Sequence, residues 1–253
     1  MSISVIIPSA GRPTLEYVVA SITHQLLPGD ELIVVGARKP EIIRPMGDWR
    51  DDFVYIHRDN AGLRQLEPGY ASGAVERDMG RAVAKGTHLI PIDDDDFMTP
   101  DYLQRAREAI ANSTNPLDWF VFRMQYGSPK QWISPYSYRA SFTPDAPWVL
   151  FGYPNVVLGN VGGAMYVIPN NEHLGNWDCS APGGAKNSSE DYWILVNYIN
   201  KTGIQPTFIP HVTVLIRPTH QQIFELTSVM PPSTLKYTEQ NLGPNLGIWN
   251  GVP

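Results

Sequence analysis

The sequence predicts an α/β fold in which a mostly parallel sheet is flanked by helices, in a Rossmann-like arrangement. Short apolar runs alternate with helically periodic segments through the first half of the chain, and one run leads directly into four aspartates, Asp93 to Asp96. The length of 253 residues suits a single domain. The 23 prolines and 21 glycines are denser in the second half, which predicts a loop-rich C-terminal half.

Four strands and two helices are predicted in the first half. Residues 3–7 form an apolar run that ends at Pro8, which suits a buried first strand. A helix follows, because apolar residues recur three and four positions apart at Leu15, Val18, Val19, Ile22 and Leu26. The remaining elements are strands at 31–35, 53–56 and 88–92 and a helix at 76–85.

Two further helices are predicted after the aspartates. Thr99 is expected to cap the first of them, with Pro100 at the first helical position, where a missing N–H costs nothing. That helix runs to about residue 111. The second begins near Ser189 and ends at Gly203, because glycine commonly terminates helices.

The rest of the second half contains two predicted strands and long loops. The strands lie at 118–124 and 163–168, and a proline- and aromatic-rich stretch that includes Trp148 separates them. Beyond Pro231 the chain has little periodicity. We therefore expect one domain over residues 1–225 and a C-terminal tail over residues 226–253.

Composition and charge exclude several classes of protein. A net charge of −6 predicts no broad cationic face for nucleic acid or anionic lipid. The single cysteine, Cys179, excludes an intramolecular disulfide framework. The N-terminus has no signal-peptide pattern, and no apolar run approaches the ~20 residues that span a bilayer. These features lead us to expect a cytoplasmic protein.

The aspartate run is the strongest chemical signal. Four adjacent carboxylates repel one another, and the preceding strand delivers them at its carboxyl end, where ligands usually bind in α/β sheets. A hard divalent cation, Mg²⁺ or Mn²⁺, would relieve that repulsion while using only one or two of the carboxylates. The alternative is a solvated turn in which Asp96 helps the next helix to start.

Several motifs resemble one known family. Residues 76–80 (Glu-Arg-Asp-Met-Gly), a strand turned by Gly86, and the aspartates at 93–96 follow one another in order. They are similar to the core of the family-2 glycosyltransferases with a GT-A fold, where Ala-Arg-Asn-x-Gly precedes a strand and Asp-x-Asp-Asp. Ser-Val-Ile-Ile-Pro at 4–8 resembles the first strand of that family, and Ser-Glu-Asp-Tyr at 189–192 resembles its Glu-Asp motif. The resemblance extends to about residue 220.

The resemblance implies a donor and metal site. It gives Asp95 the metal ion, Mn²⁺ or Mg²⁺, with Asp93 assisting and also reaching the donor ribose. His220 falls where relatives place a histidine that contacts the metal or the diphosphate, although a loop histidine is also a common surface residue. The donor-side candidates are Pro8, Arg12, Arg77, Asp93, Asp94 and Gly163. Residues 1–111 would form the nucleotide-sugar-binding half.

The acceptor side is expected in residues 112–225. The resemblance makes Asp191 the general base, and the acceptor-side candidates are Glu190, Trp177 and Trp148. Asp191 has a structural alternative, because an acidic residue in the first turn of a helix is stabilised by the helix dipole. Catalysis is favoured because sugar transfer needs a base opposite the leaving group.

Three departures from the family pattern stand out. After the second strand the family usually supplies an acidic residue to the donor base, but residues 34–38 contain none here. The asparagine after the family arginine is Asp78 here. A longer segment, with glycine and proline, separates Asn60 from Arg77. The first departure leaves the nucleotide base open.

Together these features predict a metal-dependent, inverting glycosyltransferase. The donor would be a nucleotide sugar, with a UDP-sugar favoured, and the acceptor a saccharide, with a modified nucleobase as an alternative. A nucleotidyltransferase or sugar-nucleotide pyrophosphorylase is a second hypothesis, weakened because the loop after the first strand has only Gly11 and Arg12. A non-catalytic carbohydrate-binding module is the third.

Overall fold

The computed structural model describes residues 1–12, 14–40, 52–59, 73–126, 149–150, 156, 161–177 and 190–216. Trp148, His220 and the tail at 226–253 lie outside these ranges.

Nine strands and four helices form the described part of the chain. The strands are β1 (Ile3–Ser9), β2 (Glu31–Gly36), β3 (Phe53–His57), β4 (His88–Pro91), β5 (Asp96–Met98), β6 (Phe120–Tyr126), β7 (Val149–Leu150), β8 (Tyr166–Pro169) and β9 (Thr207–Ile216). The helices are α1 (Leu15–Thr23), α2 (Ala74–Val83), α3 (Tyr102–Asn112) and α4 (Glu190–Thr202), and a 3-10 turn spans Gly163–Met165. No helix in the described ranges has the length and apolarity needed to cross a bilayer.

The strands form one sheet with a parallel half and a mixed half. The strand order is β3-β2-β1-β4-β8-β6-β9-β5, with β7 paired to β6. Strands β3, β2, β1 and β4 are parallel neighbours, and β8 joins β4 in the antiparallel direction. Because parallel strands end at the same edge, the loops that follow β1, β2 and β4 meet there. We call this the carboxyl edge.

The core lies between the sheet and its helices. Every residue of β1 and β2 is buried, so neither strand alternates between apolar and polar residues. On α1, the predicted stripe of Leu15, Val18, Val19 and Ile22 is at most 1% exposed. Removal of this apolar surface from water is the main contribution to stability. The predicted α/β fold with a mostly parallel sheet is therefore confirmed.

The predicted start of α3 was wrong. The helix begins at Tyr102, three residues after Thr99, and its N-cap is Asp101. Thr99 instead belongs to the sheet side, because its N–H bonds the carbonyl of Thr213 in β9 (2.9 Å). The Leu103 N–H at the helix start is satisfied by the side chain of Gln25, at 3.0 Å.

The predicted strand at 163–168 was also partly wrong. Its first three residues form the 3-10 turn, and the extended segment is β8. Three strands were not predicted at all: β5, β7 and β9. The predicted last helix, by contrast, is confirmed. Helix α4 begins one residue after Ser189 and ends before Gly203, whose φ is +72°.

Candidate functional site

The candidate site lies at the carboxyl edge of the parallel half. The loop after β1 and the aspartates after β4 meet there, and the first turns of α2 and α4 face them. Parallel pairing aligns Ile6 of β1 with Pro91 of β4, so Ser9 and Asp94 come within hydrogen-bonding distance although they are 85 residues apart. The predicted aspartates therefore occupy the expected place in the fold.

Arg77 is the centre of the site. Its side chain is 1% exposed, on the first turns of α2. One terminal nitrogen donates to Asp93 Oδ1 at 2.6 Å and the other to Glu190 Oε1 at 2.9 Å. The Oδ2 atom of Asp191 lies 3.7 Å from the first of these nitrogens. The sequence predicted Arg77 on the donor side, and the structure joins it to the predicted metal and acceptor residues.

Asp191 is held by a second buried group. Its Oδ1 accepts a hydrogen bond from the Tyr166 hydroxyl at 2.8 Å, and the same hydroxyl accepts one from Trp177 Nε1 at 2.9 Å. Burial raises the pKa of Asp191, while Arg77 lowers it and Asp93 raises it. A raised carboxyl pKa suits a group that must accept a proton.

Glu190 is more buried than its neighbour Asp191. Burial and the adjacent Asp191 carboxylate raise the pKa of Glu190 to about 7, although Arg77 opposes the shift. Among the described residues, its Oε2 atom has no hydrogen-bond partner, and neither does the Nε of Arg77. The carboxylates of Asp93, Glu190 and Asp191 thus share the single guanidinium of Arg77. This part of the site therefore has more negative than positive charge.

Asp94 and Asp95 face different surroundings. Asp94 is turned into the protein, where its Oδ2 accepts from Ser9 Oγ (2.8 Å) and the Ala10 N–H (2.9 Å). Arg12 reaches its Oδ1 at 2.9 Å and also pairs with Asp95 Oδ2 at 2.8 Å. Asp94 therefore anchors the loop after β1. Its ion pair with Arg12 holds that arginine in the site, beside the aspartates.

The two carboxylates predicted for the metal are the most exposed of the first three aspartates. The side chains of Asp93 and Asp95 are 45% and 30% exposed, whereas that of Asp94 is 3% exposed. Carboxylate oxygens are hard ligands, so Asp93 and Asp95 fit a divalent cation that takes its other ligands from water and phosphate. Within the described ranges, no group of three or more acidic, histidine or cysteine side chains could hold a metal ion unaided.

Asp96 has a structural position. It begins β5 and pairs with Ile216 of β9. Burial raises its pKa well above the ordinary value, and the neighbouring aspartates add to the shift. The run therefore divides into two outward carboxylates and two inward ones.

Gly163 lies against the charged cluster. A methyl group at its α-carbon would stand 3.0 Å from an Arg77 terminal nitrogen and 3.5 Å from Asp191 Oδ2. Glycine at this position permits the close approach, since a side chain would press on the arginine and shift it by a few tenths of an ångström. Pro8 lies at the end of β1, beside Gly73 at the start of α2, where an added methyl would come within 3.0 Å of the proline ring.

Trp177 lies beside Asp191, to which its Nε1 is linked through the Tyr166 hydroxyl, and it is buried there. Its side chain is 1% exposed, so the ring offers no free face to an acceptor. Its backbone N–H donates to Asp78 Oδ1 at 2.8 Å. An asparagine amide oxygen could accept the same hydrogen bond, so this contact is compatible with the change from the family asparagine to Asp78.

Two residues of the site were missed from the sequence. Tyr166 stands in the apolar strand β8, where nothing separates it from an ordinary core tyrosine. Arg38 pairs with both carboxylate oxygens of Glu16, at 2.6 and 2.9 Å, and its Nη2 donates to the Arg12 carbonyl at 3.0 Å. Arg38 thus supports the loop after β1, and its position directly after β2 was the available signal.

Comparison with solved structures identifies the fold. A 1–349 fragment of S. aureus TarS matches with a TM-score of 0.54 and 15% identity, over 96% of this chain and 69% of the fragment. A longer TarS structure matches with a TM-score of 0.57, over 99% of this chain but 44% of that one. This chain therefore spans less than half of that protein. TarS structures include complexes with UDP and with UDP-GlcNAc.

Two further solved structures are similar. Glucosyl-3-phosphoglycerate synthase from Mycobacterium tuberculosis, in complex with Mn²⁺, UDP and glucosyl-3-phosphoglycerate, matches with a TM-score of 0.51 and 16% identity, over 96% of this chain and 81% of that one. A putative glucose-1-phosphate thymidylyltransferase from Bacillus anthracis matches with a TM-score of 0.52 and 11% identity, over 90% of this chain and 95% of that one. No family model and no curated protein matches the sequence. The structural likeness confirms the GT-A fold.

Proposed function

We propose that this chain is a metal-dependent glycosyltransferase that moves a sugar from a nucleotide-sugar donor to an acceptor hydroxyl. One observation carries the proposal: buried Arg77 connects Asp93, at the predicted metal position, with Glu190 and Asp191 at the head of α4. Residues far apart in the sequence thus converge on one charged centre at the carboxyl edge of a GT-A fold. Solvated turn aspartates would need no such buried arginine.

Asp95 and Asp93 would hold the divalent cation, Mn²⁺ or Mg²⁺, through their exposed carboxylates. When bound, the cation would neutralise charge on the diphosphate as it leaves. Arg77 and Arg12 keep these carboxylates in place through contacts of 2.6 and 2.8 Å. His220 is retained as a proposed further contact to the metal or the diphosphate.

Asp191 would act as the general base. The acceptor O–H bond breaks as its oxygen bonds the anomeric carbon of the sugar, the bond from that carbon to the donor phosphate breaks, and the proton passes to Asp191 Oδ2. This oxygen is the one not bonded to Tyr166. Attack from the side opposite the leaving group inverts the anomeric configuration, by analogy with inverting glycosidases.

The donor proposed is a UDP-sugar. It is supported by the UDP complexes of TarS and the mycobacterial synthase, which share the fold. Residues 1–111 would bind the donor and residues 112–225 the acceptor. We propose a saccharide acceptor, with Glu190 and Trp148 near it, and keep a modified nucleobase as the alternative.

A second candidate function is nucleotidyl transfer. The similarity to the thymidylyltransferase favours it, since that enzyme shares the fold. The loop after β1 argues against it. Arg12 already pairs with Asp94 and Asp95 instead of standing free to bind a triphosphate.

Product release from defined substrates separates the candidates. UDP release should be measured from UDP-glucose and UDP-GlcNAc, with Mn²⁺ and with chelator, using water or added saccharides as acceptors. Pyrophosphate release from dTTP and glucose 1-phosphate should be measured in parallel. The proposal predicts Mn²⁺-dependent UDP release and no pyrophosphate. Pyrophosphate release without UDP release would favour nucleotidyl transfer, and neither product would favour a binding module.

A further inference from the structure

The hydrogen bonds around Asp191 have a defined direction. Trp177 Nε1 is only a donor, so the Tyr166 hydroxyl accepts from it and directs its own hydrogen to Asp191 Oδ1. Tyr166 is fully buried and Trp177 is 1% exposed. Solvent therefore does not compete with either bond.

The same chain of contacts reaches α2. The Trp177 backbone N–H is held by Asp78, one residue after Arg77. Helix α2 therefore approaches Asp191 by two routes, directly through Arg77 at 3.7 Å and indirectly through Asp78, Trp177 and Tyr166. Two fixed contacts on different oxygens restrict rotation of the Asp191 carboxylate.

We propose that Tyr166 and Trp177 are positioning residues that orient the Asp191 carboxylate so that Oδ2 is the oxygen that takes the acceptor proton. This inference rests on the proposed function. Oδ1 is occupied by Tyr166, while Oδ2 faces Arg77 and the bare α-carbon of Gly163. Without the tyrosine hydroxyl, the carboxylate can rotate, and the oxygen that accepts the proton is no longer fixed.

Tyr166→Phe is the direct test, and Tyr198→Phe is a matched control. Tyr198 is also fully buried and lies on α4, the helix that carries Asp191. Its hydroxyl likewise donates to one group, the Leu117 carbonyl (3.0 Å), and accepts from another, Asn171 Nδ2 (3.3 Å). Both variants lose one buried hydroxyl, but only Tyr166→Phe affects Asp191.

We expect Tyr166→Phe to lower kcat for UDP release from UDP-glucose or UDP-GlcNAc roughly 10- to 100-fold with KM unchanged, which corresponds to one hydrogen bond to a charged group. Tyr198→Phe should keep the wild-type kcat per folded molecule. Trp177→Phe should lower kcat less than Tyr166→Phe, because the Tyr166 hydroxyl contacts Asp191 Oδ1 directly and Trp177 orients that hydroxyl. Equal kcat in the two tyrosine variants would overturn the inference.

Asp191→Asn in the same assay separates this inference from the proposed function. If Asp191→Asn loses activity while Tyr166→Phe behaves like Tyr198→Phe, only the positioning role is wrong. If Asp191→Asn is as active as wild type, the proposed base is wrong as well.

The hydrogen bonds can also be tested without turnover, should neither sugar nucleotide be hydrolysed. In protein labelled with ¹⁵N-tryptophan, the Trp177 indole N–H signal, assigned from Trp177→Phe, should exchange slowly with solvent. It should shift and exchange faster in Tyr166→Phe, but not in Tyr198→Phe. An indole signal that is indifferent to Tyr166→Phe would exclude the arrangement.

Discussion

The parallel half of the sheet has buried acidic residues at both of its edges. The two edges differ in how completely hydrogen-bond donors and positive charges of the protein pair with the carboxylates. At the amino edge, Asp30 accepts from the backbone N–H groups of Ile3 and Leu27, both at 2.9 Å, and pairs with Arg107. Both carboxylate oxygens therefore have donors from the protein itself. Asp30 thus ties α3 and the loop after α1 to the sheet.

The cluster at the carboxyl edge has an excess of negative charge. Arg77 serves Asp93, Glu190 and Asp191 together, and Glu190 Oε2 has no partner among the described residues. Burial raises the pKa of both Glu190 and Asp191. A buried acid that the protein satisfies completely is structural, whereas a cluster left short of positive charge indicates a functional site.

The largest effect is expected from Asp191→Asn at the carboxyl edge. The change keeps the size of the side chain and its contact with Tyr166 but removes the proposed base, so transfer should fall ~10²–10⁴-fold. Donor affinity should hardly change, because the proton is accepted only during transfer. Single-turnover rates normalised to the folded fraction give the measurement. A lowered melting temperature with a normal transfer rate would mean that Asp191 only caps the helix.

Asp30→Ala at the amino edge should have the opposite signature. It leaves Arg107 and two backbone N–H groups without their acceptor, so the free energy of unfolding should fall by about 3–5 kcal/mol. The rate per folded molecule should stay at the wild-type value. Denaturant unfolding and the UDP-release assay provide the two readouts. A large loss of rate with normal stability would mean that the amino edge also takes part in function.

A pH dependence of stability should come from the carboxyl edge. The folded-state pKa of Glu190 is raised from 4.5 to about 7, so the folded chain binds more protons than the unfolded chain between these values. The stabilising contribution is complete below pH 4.5 and is lost as pH rises through 7, amounting to about 3 kcal/mol. Glu190→Gln should flatten this decline in denaturant unfolding between pH 5 and 8. An unchanged slope would show that Glu190 is ionised throughout.

The smallest effect is expected from Asp94→Asn. Its carboxylate contacts the loop after β1, and its ion pair is with Arg12, whose side chain is 38% exposed. Such a pair contributes about 0–1 kcal/mol, and asparagine can still accept from Ser9 and Ala10. The melting temperature should therefore change little. If UDP affinity nevertheless falls at least tenfold, Asp94 binds the donor directly, as the sequence first indicated.

The sequence predicted the parallel half of the fold well because its central strands β1 and β2 are buried on both faces. Continuous apolar runs, such as residues 3–7, carry that signal without help from distant residues. The signal fails for β9, where Pro210 and His211 interrupt the apolar pattern. It also fails for β5, whose three residues include Asp96 and depend on pairing with β9.

The candidate site was predicted as a set of residues but not as a geometry. The four adjacent aspartates are chemically identical in the sequence, yet Asp94 turns inward because Ser9 and Ala10 offer it donors. That choice is made by residues 84 and 85 positions away. Tyr166 was missed for a similar reason, since its role depends on Trp177 and Asp191 and not on its own strand.

Calorimetric titration of UDP in the presence of Mn²⁺ tests most directly whether the carboxyl edge is the donor site. The variants to compare are Asp95→Ala and Glu172→Ala, the latter an 85% exposed carboxylate after β8 at the opposite edge. Wild type and Glu172→Ala should bind UDP equally, and only with the metal. Asp95→Ala should bind UDP more weakly by about tenfold or more, because it lacks the carboxylate proposed to hold the metal. Equal, metal-independent affinity in all three proteins would contradict the account.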